Sequence, residues 1–470
     1  LYEQVAKRIA QQVESGVFRT GERIPAVRAL SRQLGVSIAT VLQAYRLLED
    51  QGVVEAKPQS GYYVRWRPRL ATPSAPQPTT LPSPTTVSVT ELARQVLDAS
   101  AAPGVVQFGT AVPDARFIPV EALKRALLTA VRRLDVKTYD YAFPPGLQPL
   151  RSQIARRAIA AGCDLDPADI VITSGAIEAV TLSLRAVTAP GDTVVVESPT
   201  FYGLLQAIES MGLKALEIPA DPQHGMSLDA LQLALEQWPV KACLLITNFN
   251  NPSGSLLSDE NKRRLVQALS ARQIPLIEDD VYGELSFDGA RPRSAKSYDE
   301  ADWVIQCSSF SKSLAPGLRV GWLASRRFGR QLQHLKYISS MASATLPQQA
   351  MADFLGRGGY DHHLRQIRRQ YAQQVAAAGE AVASYFPAGT RATQPRGGFV
   401  LWVELPPQVD SLQLFWRARA EGISVAPGPL FSSKGAHRNF MRLNCAVEMN
   451  QRAQRALMRL GALAAELAAA

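Results

Sequence analysis

Apolar residues recur every four positions at the head of the chain, at Leu1, Val5, Ile9 and Val13, which predicts an amphipathic helix ended by Gly16. A second helix is expected over 25–35, PAVRALSRQLG, with proline at its first position and glycine at its close. Ser37 can cap a third over 38–52, whose apolar face is Val41, Leu42, Tyr45 and Leu48. The next segment, VVEAKPQSGYYV (53–64), reads as two short strands around a Pro-Gln-Ser-Gly tip. No apolar period runs through 66–90, where six prolines are mixed with serine and threonine, so a linker is expected there. Extended as polyproline II at about 3.1 Å per residue, it would reach roughly 75 Å. Beyond it come short apolar runs that each end in small or polar residues, among them VITSG (171–175), VVVESP (194–199), LLITNFNNPSG (244–254) and IPLIEDD (274–280). Such runs are expected of strands buried on both faces of a parallel sheet, and VITSGAIEAVTLSL reads strand, turn, helix. The fold class is therefore α/β, preceded by a small α+β domain.

At 470 residues the chain exceeds one ordinary core, and two or more domains are expected. Its four cysteines form no C-x-x-C pair, which argues against a disulfide framework and against zinc. His362 and His363 are adjacent and read as surface residues. No apolar run approaches the roughly 18 residues of a membrane span, and no signal peptide opens the chain, so a cytoplasmic protein is expected. The chain starts at Leu1 rather than methionine, and a short preceding piece is expected. The net charge is +10; the first 70 residues carry eleven basic against six acidic side chains, a balance that attracts polyphosphate.

The segment SSFSKSLAPGLRVGW (308–322) has a lysine, Lys312, with a hydroxyl at Ser309 three residues before it and a guanidinium at Arg319 seven after. A lysine amine condenses with the aldehyde of pyridoxal phosphate (PLP), and hydroxyl and guanidinium both suit its phosphate. With the D-x-x-Y of IEDDVYGEL, the N-P-S-G 28 residues earlier, the S-G-A turn and NFMRLNCA (439–446), this order of motifs resembles the fold type I aminotransferase family over about residues 105–460. The resemblance implies that Asp279 pairs with the protonated pyridine nitrogen, that Tyr282 and Asn251 face the phenolic oxygen, and that Lys312, Asp279 and Tyr282 form the catalytic set. It implies a phosphate seat at Ser174, Gly175 and Ala176, where a helix N-terminus favours an anion. Phe201 would stack on the ring, with plain core packing as its alternative. Tyr141, five residues before Gly146, would cross to the neighbouring subunit's phosphate in a homodimer, with Tyr139 as fallback. Arg442 would grip a substrate or effector carboxylate in a bidentate pair, or else sit in a structural salt bridge. For Asp280 a solvated strand end is the better expectation.

The N-terminal run GERIPAVRALSRQLGVSIATV with the SGYYV hairpin resembles the GntR family of winged helix-turn-helix regulators. That resemblance implies DNA contacts from Arg28, from Ser37 and Thr40, and from Gln59, Ser60 and Gly61 in the wing. A packing or dimerisation arm is the alternative. Where the family often has arginine this chain has Ile38, which can touch a thymine methyl but cannot hold a phosphate or guanine. The whole arrangement is similar to the MocR subfamily: a DNA-binding domain (1–65), a linker (66–90) and an aminotransferase-like domain (91–470) with a small subdomain over roughly 346–470. It implies a dimeric, PLP-dependent regulator of double-stranded DNA operators, possessing swapped DNA-binding domains if the linker reaches the partner, and sensing an amino acid, an amine or PLP. The alternative is an aminotransferase that carries a DNA-binding arm.

Overall fold

Three helices form at the head of the chain close to where the apolar spacing places them: α1 (Tyr2–Glu14), α2 (Val27–Leu34) and α3 (Ile38–Asp50). Val5, Ile9, Leu30, Val41, Tyr45 and Leu48 are buried together, while Leu1 is exposed. Gly35 closes α2 at φ 64°, the left-handed conformation glycine adopts without strain. Pro25 lies two residues ahead of α2 rather than at its first position, and its carbonyl accepts the Tyr45 hydroxyl at 2.5 Å. β1 (Val54–Lys57) and β2 (Gly61–Val64) pair antiparallel, and Arg23 bridges to Tyr63 on the outer side. The structure, a computed structural model, describes residues 1–470 except 20, 51, 58–59, 65–69, 76–81, 134–138 and 470. The chain divides into two units, Leu1–Arg69 and Leu70–Ala470.

The second unit is built on a nine-stranded sheet among the described residues. Its centre is five parallel strands in the order Lys214–Asp221, Thr193–Ser198, Val240–Leu245, Leu276–Asp279 and Val304–Ser309. Gly321–Ala324 follows antiparallel and pairs in turn with Ile170–Thr173. The strands are apolar throughout because both faces are covered: Val196, Leu244, Ile277 and Ile305 pack into one core, Val195, Cys243, Leu245 and Leu276 into another. All four cysteines are free and buried, as packing residues.

Two boundaries differ from the sequence expectation. Part of the expected linker is seated on the second unit: Thr85–Thr86 pairs with the strand Lys214–Asp221, Val87 and Val89 are buried, and the Trp238 indole donates to the Pro82 carbonyl at 3.0 Å. Proline removes a donor but leaves carbonyls and interleaved valines free to pack. The long free reach therefore does not hold for 82–90; residues 66–69 and 76–81 of the linker lie outside the described residues. The smaller domain is also not a continuous 346–470 piece. Met351, Phe354, Tyr360, Leu364 and Tyr371 bury in the large core, whereas Val375–Phe386 turns to a second core with Trp402, Leu414, Leu443 and Leu457. Ala93, Val96 and Ala99, one stripe of the helix Thr90–Ala101, join that second core from the other end of the chain.

Candidate cofactor site and nucleic-acid interface

Apart from the one with Tyr141, the turns that carry the expected cofactor residues leave the carboxyl ends of sheet strands, the edge where open α/β sheets place ligands. Asp279 ends the strand Leu276–Asp279 and Ser309 the strand Val304–Ser309. Asn251 follows Val240–Leu245, and Ser174 follows Ile170–Thr173. Register brings Ser309 opposite Gly321 and Gly321 opposite Thr173, so the phosphate-side residues share one corner. There Arg319 Nη2 donates to the Ser174 carbonyl at 2.5 Å. A Cβ on Gly321 would stand 2.6 Å from the Gly175 carbonyl carbon, and one on Gly175 would strike the Arg319 guanidinium. Both glycines are thus required by close approach. Ala176 begins the helix Ala176–Val187, whose first-turn N–H groups have no partners within the helix.

On the opposite side Arg442 is fully buried; its Nη1 donates to Asn251 Oδ1 at 3.3 Å and its Nη2 to the Gly109 carbonyl. Asn251 Nδ2 in turn lies 3.5 Å from the Tyr282 hydroxyl. Lys312 Nζ donates to the Ala111 carbonyl at 2.8 Å. The two carbonyls, from GTAVP (109–113), are site parts that sequence reasoning missed.

Charge at this edge is left uncompensated. Asp279 is buried, and its Oδ1 has no hydrogen-bond partner among the described residues. Burial first, then Asp280, pushes its carboxyl up to about 7 against the pull of Lys312. Burial and then Arg442 bring the Lys312 amine down to about 8, opposed by Asp279. Arg442 Nε is likewise buried without a partner. An unsatisfied carboxylate, a partly neutral amine and an unsatisfied guanidinium N–H are three groups awaiting a ligand. They fit PLP with a carboxylate-bearing amine: a ring N–H for Asp279, an aldehyde for Lys312, and a carboxylate for Arg442.

A carboxyl held at about 7 instead of 3.8 carries up to about 4 kcal/mol of unfavourable charging free energy above pH 7. Because the folded group binds its proton more tightly than the unfolded one, this costs stability as pH rises from about 4 to about 7. Asp279→Asn is expected to raise the melting temperature of the cofactor-free protein at pH 8 and to flatten that slope, while weakening PLP retention. Thermal scans at several pH values with and without PLP check both directions.

Behind the phosphate corner, Lys336 is buried and donates to Glu178 at 2.8 Å, and the Ser174 N–H donates to the same carboxylate at 2.5 Å. Burial raises the Glu178 carboxyl, but these bonds together bring it below its ordinary value. Ser174 N–H is thereby already engaged, leaving Gly175 and Ala176 as the freer donors.

Other expectations fare differently. Asp280 is not solvated: it is buried, bonded to Asn248 at 2.9 Å and paired with Arg291 at 2.6 Å. His363 is buried rather than on the surface, Nε2 3.0 Å from the Ser313 carbonyl, and burial lowers it to about 4. Phe201 is half-buried at the head of the helix Tyr202–Ser210, touching both the large and the small core. Tyr141 is 65% exposed and stacks on Phe143, which meets Tyr337; Tyr139 is exposed as well.

In the first unit, Arg28 is exposed on α2. Ser37 Oγ accepts the Thr40 N–H at 3.0 Å and lies 2.8 Å from the Thr40 hydroxyl, a cap for α3. Ser60 and Gly61 sit half-exposed at the start of β2, with Gly61 at φ 107°; Gln59 lies outside the described residues.

The sheet order and the groups at its carboxyl edge define an aminotransferase-like domain of fold type I, preceded by a winged helix-turn-helix. Residues 105–460 match aminotransferase class I and II, and residues 1–64 match the bacterial regulatory proteins of the gntR family. The chain is 41% identical over 473 residues to the uncharacterized HTH-type transcriptional regulator YdcR of Escherichia coli (strain K12), covering 99% of each. It is 30% identical over 372 residues to the 2-aminoadipate transaminase of Thermus thermophilus, covering 78% of this chain and 92% of that one. Among solved structures, the Pyrococcus horikoshii kynurenine aminotransferase in complex with PMP gives a TM-score of 0.75 at 28% identity, over 80% of this chain and 94% of that one. The chain belongs to the class I and II aminotransferase family and joins to it a gntR-family N-terminal domain, the MocR-like architecture.

Proposed function

We propose that this protein is a transcriptional regulator that binds operator DNA through its N-terminal domain and uses the aminotransferase-like domain, loaded with PLP, to sense an amino acid or amine. The observation that carries the reading is a ligand-ready site on the same chain as a DNA-binding fold: Asp279 Oδ1 and Arg442 Nε are both buried and have no hydrogen-bond partner among the described residues. When bound, PLP supplies an aldehyde that condenses with amines and a ring that withdraws electrons. Lys312 would hold the aldehyde, Asp279 the ring nitrogen, and Asn251 with Tyr282 the phenolic oxygen. Ser309, Arg319 and the first turn at Ser174–Ala176 would hold the phosphate, with Phe201 against the ring. Arg442 would bind the effector carboxylate, and its bond to Asn251 at 3.3 Å ties that event to the cofactor's seat. Tyr141, which is exposed on a single chain, would serve a neighbouring subunit's phosphate in a homodimer.

An aminotransferase reading draws on the same residues and is favoured by the completeness of the set, Lys312, Asp279, Asn251, Tyr282 and Arg442. The regulator reading is favoured by full-length similarity to HTH-type regulators, which spans the DNA-binding domain as well.

DNA binding is tested with the full chain by titrating random and selected duplexes across salt concentrations. Arg28→Ala is expected to weaken all sequences alike and to reduce the salt slope by about one unit, as loss of a phosphate contact does. A wild-type affinity that ignores salt would remove the nucleic-acid reading.

A further inference from the structure

The solvent face of α3 has an unusual chemistry for a helix that reads DNA. At 3.6 residues per turn, Ile38, Leu42, Arg46, Ala39 and Gln43 fall within an arc of about 140°. Val41, Ala44, Tyr45 and Leu48 occupy the other side and are buried. Within that arc Ile38 is 48% exposed, Ala39, Gln43 and Arg46 are exposed, and Leu42 is half-buried. The hydroxyls of Ser37 and Thr40 are bonded to each other in the cap, which engages both without using every donor and acceptor site. Glu49, further along, is turned to the hairpin, its carboxylate accepting the Ala56 N–H at 3.1 Å. The first two turns, 38–45, contain no lysine or arginine. What remains to meet base edges is the exposed Ile38 and Ala39, the half-buried Leu42 and one amide.

In the major groove a guanine is read by a cation, a thymine by apolar contact with its C5-methyl, and an adenine by a bidentate amide. The N-terminal residues of a recognition helix are the ones that reach the bases. We infer that α3 specifies its half-site through thymine methyls packed on Ile38 and Ala39 and an adenine held by Gln43, with Arg46 and Arg28 contributing phosphate contacts that carry no sequence information. The inference rests on the proposed DNA binding and adds the base chemistry to it. Ile38 is the specificity-determining residue: it presents a branched apolar surface to solvent at the first residue of α3.

The test uses the full-length protein and a pool of random-sequence duplexes. Selected sites are expected to share thymine and adenine at the protected half-site positions. Replacing each thymine with deoxyuridine, which removes only the methyl, should weaken binding by about fourfold at one or two positions, the worth of one buried apolar carbon. In Ile38→Ala, an exposed change that leaves the domain core intact, the thymine-to-uracil difference should vanish at one of them. Selected sites carrying guanine at those positions, affinity indifferent to every methyl, or an unchanged thymine-to-uracil difference in Ile38→Ala would each overturn the assignment while leaving DNA binding in place. No enrichment at all would overturn the DNA-binding reading and this one with it.

Discussion

Lys312→Ala is expected to abolish covalent attachment of PLP: after incubation with the cofactor and borohydride reduction, the wild type should carry a stable lysine adduct and the variant none. The expectation follows from the state of the amine. Lys312 is brought down to about 8 by burial and by Arg442, so near pH 8 about half of it is neutral and able to attack an aldehyde, where an ordinary lysine is almost fully protonated. Attachment in the wild type should accordingly quicken as pH rises through about 8 and level off above it. The other buried lysines are committed elsewhere. Lys336 is paired with Glu178, and Lys262 donates to Asn248 and to the Arg293 carbonyl at 2.7 Å each. Peptide mapping checks the site, and an adduct of equal yield on another lysine in Lys312→Ala would displace the assignment.

Arg442→Lys is expected to weaken a carboxylate-bearing effector by roughly tenfold to a hundredfold, because a lysine keeps the charge but cannot make the bidentate fork. Amines without a carboxylate should be almost unaffected, which separates loss of the fork from general damage to the site. The side chain is buried against Gly109 and Asn251, and its replacement by a shorter cation keeps a donor in that space. DNA binding in the absence of effector should stay within about twofold of wild type, since Arg442 belongs to the second unit and makes no contribution to charge on α2 or α3. Spectral titration with amino acids and with their decarboxylated amines measures the first effect, and duplex titration the second.

The strand ends before Asp279, Asn251 and Ser174 were legible because each buried strand is a continuous apolar run that stops at a polar motif, whereas their roles came from the family resemblance and the strand that ends at Ser309 was not read. Backbone groups were not. The carbonyls of Gly109 and Ala111, which hold Arg442 and Lys312, carry no residue-type signal. Asp280 and His363 were read from their neighbours in sequence, whereas their partners, Arg291 and the Ser313 carbonyl, come from distant turns that only the folded chain brings near. Thr90–Ala101 packs into the small-domain core although it lies some 270 residues before Val375, where the bulk of that core begins, a closure no local periodicity reveals. Proline content marked residues 66–90 as a linker, yet Val87 and Val89 supply enough apolar surface to seat its end. In the first unit the helix spacing placed all three helices, but Leu1 is exposed, Leu42 is only half-buried, and Pro25 lies ahead of α2 with its carbonyl accepting the Tyr45 hydroxyl.

The central claim is that ligand binding at the aminotransferase-like site changes operator affinity instead of serving turnover. It is tested most directly by measuring, on one preparation loaded with PLP, operator affinity and transamination across a panel of amino acids and amines. The account predicts that at least one ligand shifts operator affinity by about 1–3 kcal/mol, the usual range of allosteric coupling. It also predicts that this ligand is turned over far below the roughly 10 s⁻¹ of a typical enzyme. Brisk transamination with operator affinity unmoved by every ligand would contradict the account and establish the enzyme.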